Sequence, residues 1–131
     1  MTQSGFQFAN PIISKINYVV HSEFKWNKEE PLSITNSFKT NISPSKSSRK
    51  AIVELDILIG DIDPQKEPFY IEMTIGAPFK WDEAYADETI RDLLSVNAPA
   101  LLLSYARPII STITNMSPYP SYDIPFYNFT K

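Results

Sequence analysis

Four segments in the first two-thirds of the chain alternate between apolar and polar residues, and this period of two constrains the fold more than any other feature. A period of two predicts an extended strand with one buried face, because successive side chains of a strand point to opposite sides. We expect strands at residues 12–26, 32–42, 51–60 and 69–75, with residues 76–78 interrupting the last one. Connections this short favour antiparallel pairing, since a parallel pair needs a long crossover. The sequence therefore predicts a four-stranded antiparallel sheet.

The period changes to that of a helix after the last strand. Residues 87–96 predict a short amphipathic helix with acidic residues in its first turn, where the helix dipole favours them. Asn97 can cap a second, longer helix, and Pro99 is tolerated in its first turn. Pro108 should kink that helix because it removes one backbone hydrogen bond, and residues 117–118 end it. The predicted fold class is α+β, with a short helix and one main helix packed on one face of the sheet.

The main helix carries apolar residues on more than one face. One row of helical spacing contains Leu102, Tyr105, Ala106, Ile109, Ile113 and Met116. A second row is half apolar and contains Leu103, Arg107, Ile110 and Thr114. A helix that lies on its own sheet needs only one apolar face, so the second face suggests cover by another copy of the chain. The candidate oligomer contacts are Leu103, Arg107 and Ile110.

The length and composition fit one packed domain. The chain has 131 residues, of which 43% are hydrophobic and 21% charged, so a sizeable core is expected and wholesale disorder is not. We expect residues 1–131 to form a single domain. Within it, residues 1–10 are predicted to be a loose N-terminal arm, and residues 117–131 an extended tail.

Charge and targeting signals narrow the function classes. The net charge is −3 and no basic cluster is present, which disfavours nucleic-acid binding. The absence of cysteine excludes disulfides and a cysteine nucleophile. The N-terminus lacks a basic region followed by an apolar core, so no signal peptide is expected. No apolar run reaches the roughly 20 residues of a membrane span. These features predict a cytoplasmic protein without membrane insertion.

Residues that could carry covalent chemistry are few. The single histidine, His21, lies on the polar side of a predicted strand without metal ligands at suitable spacing. Asp61 and Asp63 lack the ligand spacing of a calcium loop, and the three glycines form no phosphate cradle. The basic residues of loop 43–50 could meet a phosphate, although a solvated turn is the simpler interpretation. We therefore predict neither catalysis, nor a metal site, nor a cofactor.

The tail after the main helix is rich in aromatic residues and proline. Its prolines prevent helix and inner strand, so the tail should run as an extended, stiff segment. Its rings either hold the tail on the core or line a groove for extended apolar peptides. The candidate peptide-binding residues are Phe79, Trp81, Tyr119, Tyr122, Phe126 and Tyr127.

Residues 98–129 resemble the SecB-type protein-export chaperones. The Pro–Tyr–Ala–Arg helix segment of that family is represented here by Ser104, Tyr105, Ala106 and Arg107. The aromatic–Pro turn of the family corresponds to Tyr119-Pro120, and its Pro–x–Asn–Phe ending corresponds loosely to residues 125–129. Residues 69–79 resemble the family's fourth strand, with an acid at Glu72 and a glycine at Gly76.

The resemblance implies a function as well as a fold. It implies four antiparallel strands with helices, assembled as a dimer of dimers through the main helices. It also implies ATP-independent holding of unfolded polypeptides in apolar grooves and, in the export branch, delivery to the SecA motor. Residues 116–129 would correspond to the crossover loop that forms one groove wall, and Tyr70 and Glu72 are the candidate SecA contacts.

Two departures from the family pattern leave alternatives open. The family's second long helix would start near residues 129–131, so we expect a wider or shallower groove, or one completed by another subunit. The first strand offers His21 and Lys25 where the family has acids, which weighs against SecA. Some SecB-like proteins instead guard antitoxins or other dedicated clients. A structural interaction domain with one fixed partner is a further alternative.

Overall fold

The computed structural model describes residues 5–45 and 48–130. In this part of the chain, strands come first and helices follow. The strands are β1 (Phe6–Phe8), β2 (Ile12–Val20), β3 (Asn36–Ser45), β4 (Lys50–Gly60) and β5 (Phe69–Trp81). The helices are α1 (Asp87–Asp92) and α2 (Ala98–Thr114), joined by a π-helical segment, Leu93–Asn97.

All strand pairs are antiparallel, and the order across the sheet is β1-β5-β4-β3. Strand β2 also pairs with β5, on the same edge as β1: Phe8 lies opposite Phe79, and Ile12 lies opposite Gly76. Strands β1 and β2 therefore form one interrupted strand along β5. The predicted α+β class with an antiparallel sheet is confirmed, with five strands occupying four positions in the sheet.

The first predicted strand ends earlier than expected, and the second begins and ends later, at Asn36 and Ser45. The first strand ends at Val20, because the next residues turn and Phe24 N–H donates to the His21 carbonyl at 3.0 Å. The second strand begins at Asn36. The Glu67 carboxylate accepts hydrogen bonds from the backbone N–H and the hydroxyl of Thr35, at 2.7 and 2.6 Å. The Thr35 carbonyl still accepts the Gly60 N–H at 2.8 Å, so only the Thr35 N–H is withdrawn from pairing with β4.

The predicted interruption of the last strand is wrong, because β5 continues to Trp81. Gly76 is needed for a close approach: a Cβ atom there would lie 2.9 Å from Glu54 Cγ. Part of the segment that was predicted to be a loose arm is a strand: residues 6–8 form β1 and pair with the extended end of β5. The ring of Phe6 stacks on Phe79 with centroids 5.5 Å apart. Residues 1–4 lie outside the described residues.

The predicted break between the helices is wrong as well. Asn97 has helical backbone angles, φ −73° and ψ −41°, and its side chain caps nothing. The helical run is continuous from Asp87 to Thr114, 28 residues, and is long and apolar enough to cross a membrane by length and composition alone. The core helix of a soluble domain meets the same criterion, and α2 packs on its own sheet. Only 39% of the most apolar part of the run is buried within the chain.

The core lies between one face of the sheet and α2. Alternate residues of the two central strands are buried, in β4 from Ala51 to Ile59 and in β5 from Phe69 to Phe79. The helix contributes Leu102, Ala106 and Ile110, each with 0% of its surface exposed. Burial on one sheet face and one helix stripe is the main favourable term in the stability of such a fold.

Candidate client groove

The first half of the tail is held by hydrogen bonds. The Tyr119 hydroxyl donates to the His21 carbonyl at 2.5 Å, and the Tyr119 ring packs against Phe24 and Trp26. The Tyr122 N–H donates to Thr114 Oγ1 at 2.8 Å. These contacts fix the start of the tail against the end of β2 and the end of α2.

Tyr122 is also held through its side chain. Its hydroxyl accepts a hydrogen bond from Asn36 Nδ2 at 2.5 Å, and its ring lies against Phe69. Burial raises the pKa of the Tyr122 hydroxyl, an effect that the Asn36 hydrogen bond partly opposes. Two residues further on, Ile124 is only 5% exposed, so the tail packs into the core up to that point.

The second half of the tail lies against the sheet through alternate rings. Tyr127 and Phe129 pack on Phe38 of β3, with centroid distances of 4.6 and 6.2 Å. Phe126, between them and the held half, is 85% exposed. One side-chain hydrogen bond fixes this half to the helix, from Arg107 Nη2 to the Pro125 carbonyl at 3.1 Å. The tail therefore changes from a buried segment to a lightly held one near Pro125.

An open cavity of about 680 Å³ lies beyond the tail, between β3 and α1. We call it the β3–α1 cavity. Its apolar lining comes from separate elements: Ile42 and Pro44, Trp81 and Tyr85, and Ile90 and Leu94. Ile42 lies four residues along β3 from Phe38 and on the same face, because their partners Val53 and Ile57 are both core residues. The surface under the tail thus continues into the cavity.

Charged residues surround the mouth of the β3–α1 cavity. Arg49 Nη2 lies 3.2 Å from Glu83 Oε2, in an ion pair between two exposed side chains. Asp82, Asp87 and Arg91 line the same opening. Exposed ion pairs contribute about 0–1 kcal/mol to stability, so the rim adds little rigidity and stays accessible to solvent. The arrangement is an apolar floor with a charged rim.

The six predicted peptide-binding residues are not brought together. Phe79 is 1% exposed beneath β1, and Tyr119 is 8% exposed, so both belong to the core. Trp81 lines the β3–α1 cavity, while Phe126 and Tyr127 lie on the tail that leads towards it. Phe79 lies near one end of β5, and Tyr122 contacts Phe69 at the other end. At a rise of about 3.3 Å per residue, Phe69 and Phe79 are roughly 33 Å apart along the strand.

The three predicted oligomer contacts lie on the covered side of α2. Leu103 is 2% exposed and Ile110 is 0% exposed, both inside the core of the same chain. Arg107 is half-buried, and its guanidinium donates a hydrogen bond to the tail. The exposed side of the helix instead carries Tyr105, 42% exposed, and Met116, two residues after the end of α2, has 78% of its surface exposed.

The two predicted SecA contacts are adjacent on the outer face of the sheet. The Tyr70 hydroxyl donates to Glu72 Oε2 at 2.8 Å, and Lys15 forms an ion pair with the same carboxylate. The Lys15 ammonium, and then the Tyr70 hydroxyl, lower the pKa of Glu72, while the hydrogen bond to Glu72 raises the pKa of Tyr70. The Glu72 carboxylate is therefore already paired with a lysine of the same chain.

Sequence reasoning missed most of the cavity lining. Ile42, Ile90 and Leu94 have no motif in common, and only the fold brings them together. His21 was expected on an exposed polar face but is 8% exposed, with its Nε2 2.8 Å from the Asp61 carbonyl. Among the described residues, no group of three His, Cys, Asp or Glu side chains could hold a metal ion.

Comparison with solved structures identifies the fold. The Mycobacterium tuberculosis Rv1957 SecB-like chaperone, in complex with a ChAD peptide from the Rv1956 HigA1 antitoxin, superposes with a TM-score of 0.74. The match covers 93% of this chain and 90% of that chain, at 11% sequence identity. The fold is SecB-like. The SecB-like architecture that the sequence resemblance implied is thus confirmed.

Two further matches are to proteins without an assigned function. A protein of unknown function from Streptococcus agalactiae superposes on this SecB-like chain with a TM-score of 0.47 and 11% identity, over 95% of this chain and 100% of that one. An uncharacterised protein of Methanocaldococcus jannaschii, MJ0357, is 28% identical over 126 residues, which cover 95% of this chain and 79% of that protein. No protein-family profile matches the chain.

Proposed function

We propose that this SecB-like chain is a chaperone that binds segments of other polypeptides and holds them without ATP. The observation that carries the proposal is the β3–α1 cavity, an open apolar surface that continues the surface under the chain's own extended tail. The structural neighbour from M. tuberculosis was solved with a peptide bound, which supports a polypeptide as the ligand class. We propose no covalent chemistry and no cofactor.

The size of the cavity suits reversible binding. A volume of about 680 Å³ accommodates several apolar side chains of an extended segment. Removing several hundred Å² of apolar surface from water contributes several kcal/mol, at about 25 cal/mol per Å², before the costs of ordering. A net affinity of this order holds a client while allowing its release without an energy source.

A dedicated client is the second candidate. The neighbour's peptide comes from an antitoxin, and a chaperone of one antitoxin or of one assembly partner would use the same groove. Delivery to an export motor is less supported, because the carboxylate of Glu72 is paired with Lys15 on the face where SecA was predicted to bind. We place the protein in the cytoplasm, without nucleic-acid partners or membrane insertion.

Self-association is part of the proposal. The exposed side of α2 carries Tyr105 and Pro108, and Met116 lies two residues after its end. The exposed Thr112 separates Pro108 from Met116, and a second copy of the chain would remove the three apolar side chains from water. A dimer of dimers, with several grooves on one particle, would strengthen the holding of long clients through effective concentration.

Aggregation assays test the proposed function. The purified chain is added, without ATP, to several unrelated proteins as they are diluted from denaturant, and light scattering is followed. Suppression for most of them supports a general holdase. Suppression for a single protein encoded beside this chain supports a dedicated chaperone. Undiminished scattering in every case, at a several-fold excess of the chain, would contradict both.

A further inference from the structure

A second, smaller cavity lies at the end of β5 that pairs with β1. Its volume is about 340 Å³, and it is lined by residues 7–9, residues 78–80 and Lys50. Lys50 precedes Ala51 and Lys80 follows Phe79, which are both core residues. Because successive side chains of a strand alternate, the two lysines lie on the outer face of the sheet. We call this site the Lys50–Lys80 cavity; it shares no lining residue with the β3–α1 cavity.

The two lysines are direct neighbours across the sheet. Lys50 of β4 lies opposite Lys80 of β5, and both side chains are exposed. Like charges directly opposite each other destabilise an antiparallel pair. Within residues 5–45 and 48–130, neither lysine forms an ion pair that would offset this cost. Two ammonium groups therefore stand on one small surface without a counter-charge from their own chain.

Other lysines of the same sheet are matched with acids. Lys15 of β2 forms an ion pair with Glu72, and Lys39 of β3 lies opposite Asp56. Across the strand registers of the described residues, the lysine pair of the cavity is the one case of like charges placed directly opposite each other. The sheet thus pairs its cations elsewhere and leaves this pair for an anion from outside.

Pro78 accounts for the cavity beside the lysines. The Ala9 N–H donates to the Pro78 carbonyl at 3.1 Å, so the carbonyl faces β1. A residue of an antiparallel strand directs its N–H and its C=O to the same neighbour, so the missing N–H of Pro78 faces the same edge. The strand along that edge is interrupted there, between β1 and β2. Pairing is incomplete at this point, and a space remains over β5.

The surface next to the lysines is apolar. Pro78 is exposed and lies opposite Ile52, which is 53% exposed on the same outer face. Ala9 adds a methyl group to the lining. The site therefore presents two cations at one end and hydrocarbon at the other. A ligand that matches both parts carries a negative head and an apolar body.

We propose that the Lys50–Lys80 cavity binds an apolar phosphate monoester, whose phosphate contacts both lysines and whose hydrocarbon part lies against Pro78 and Ile52. A phosphate monoester carries a charge of about −1.5 to −2 at neutral pH, which matches two ammonium groups. A volume of 340 Å³ is near the lower end of the roughly 300–1,000 Å³ of ligand pockets, so the hydrocarbon part in contact is short. The site is independent of the proposed client groove.

Three probes separate the contributions of the head and the body. Octyl phosphate has both parts, inorganic phosphate has only the head, and 1-octanol has only the body. By calorimetric titration of the full chain below the micelle-forming concentration, octyl phosphate should bind at least about tenfold more tightly than either of the others. In NMR spectra it should shift the amides of residues 7–9, 50 and 79–80. Equal affinity for octanol, or shifts confined to the β3–α1 cavity, would overturn the proposal.

Charge-removing variants locate the phosphate. Lys50→Gln and Lys80→Gln should each weaken octyl phosphate by about fivefold or more. Lys66→Gln is the control, because Lys66 is an exposed lysine in the connection between β4 and β5, at the other end of these strands, and its loss should change the affinity by less than about twofold. Circular dichroism should be unchanged in all three. Equal weakening in all three variants, or none in the first two, would overturn the assignment.

Vesicles distinguish a soluble ligand from a lipid headgroup. The chain is sedimented with vesicles of phosphatidylcholine, with and without phosphatidic acid, whose headgroup is a phosphate monoester. Sedimentation that requires phosphatidic acid and both lysines assigns the site to a membrane lipid. Binding of octyl phosphate without sedimentation assigns it to a soluble phosphate ester. If octyl phosphate does not bind, the proposal fails, and the aggregation assay still decides the chaperone function separately.

Discussion

Tyr119 donates its hydroxyl to the backbone carbonyl of His21 at 2.5 Å, across 98 residues of sequence. The contact joins the end of β2 to the start of the tail and is buried. The same hydroxyl lies 3.2 Å from the Phe24 carbonyl. The tail is therefore fixed where it begins, and its course over the sheet up to Ile124 follows from that contact together with those of Tyr122.

Tyr119→Phe tests the importance of this contact. The substitution keeps the ring but removes the hydroxyl that donates to the His21 carbonyl, which keeps its second donor, the Phe24 N–H, so the free energy of unfolding should fall by about 0.5–1.5 kcal/mol. Chemical denaturation measures the change. Tyr127→Phe is the control, because that side chain is 38% exposed and contacts its neighbours through its ring, and it should cost less than about 0.5 kcal/mol. Equal costs would refute the role of Tyr119.

Trp81 should report client binding directly. It lines the β3–α1 cavity, while the second tryptophan, Trp26, packs near Tyr119 at the other end of the sheet. Burial of an indole in a complex shifts its emission to shorter wavelength. In a Trp26→Phe variant, saturating client peptide should therefore shift the emission, and in a Trp81→Phe variant it should not. A shift carried by Trp26 would place the client elsewhere.

The pKa of Glu72 offers a test of the outer face. Lys15 and Tyr70 lower this pKa, so the folded state binds the proton less readily than the unfolded state. The contact therefore stabilises the fold above the unfolded pKa, and this contribution is lost as the pH falls through the folded pKa. Lys15→Met should raise the Glu72 pKa in an NMR titration. Lys80→Met, eight residues along β5 from Glu72, should leave it unchanged, and a shift in both variants would contradict the pairing.

Substitution of Met116 tests self-association. The side chain is 78% exposed next to α2, so Met116→Lys should leave the protomer folded while it places a charge in the proposed contact between copies. The particle mass, measured by light scattering during size-exclusion chromatography, should fall by at least half at micromolar concentration. Ile62→Lys is the control, at a turn residue with 73% exposure. A monomeric parent protein, or equal masses in all three proteins, would exclude this interface.

The strand centres and the fold class were predictable from sequence, whereas the strand ends were not. The alternation of apolar and polar residues from Val53 to Ile59 and from Phe69 to Ile75 predicts which side chains are buried, because a strand has only two faces. Just before β3, the Thr35 N–H donates to Glu67, 32 residues away, and no local pattern indicates that contact. Sequence reasoning cannot find a hydrogen bond that a remote carboxylate accepts.

The helix faces and the cavity show a different limit. Both rows of α2 contain apolar residues, so periodicity could not decide that Leu103 and Ile110 face the core while Tyr105 faces solvent. The β3–α1 cavity joins Ile42 to Leu94, which are far apart in sequence and are brought together by the sheet order. The tail was expected to be aromatic and extended, and the structure adds which of its rings are buried.

Hydrogen–deuterium exchange with an unfolded client tests the central claim most directly. The chain is labelled with and without a chemically unfolded protein that it keeps soluble, and protection is mapped by peptide. Slower exchange should appear in β3 and in residues 81–95 around the β3–α1 cavity, with little change in peptides from the β2 edge. Protection confined to segments outside β3 and the cavity, with exchange at the cavity unchanged, would contradict the proposed client groove.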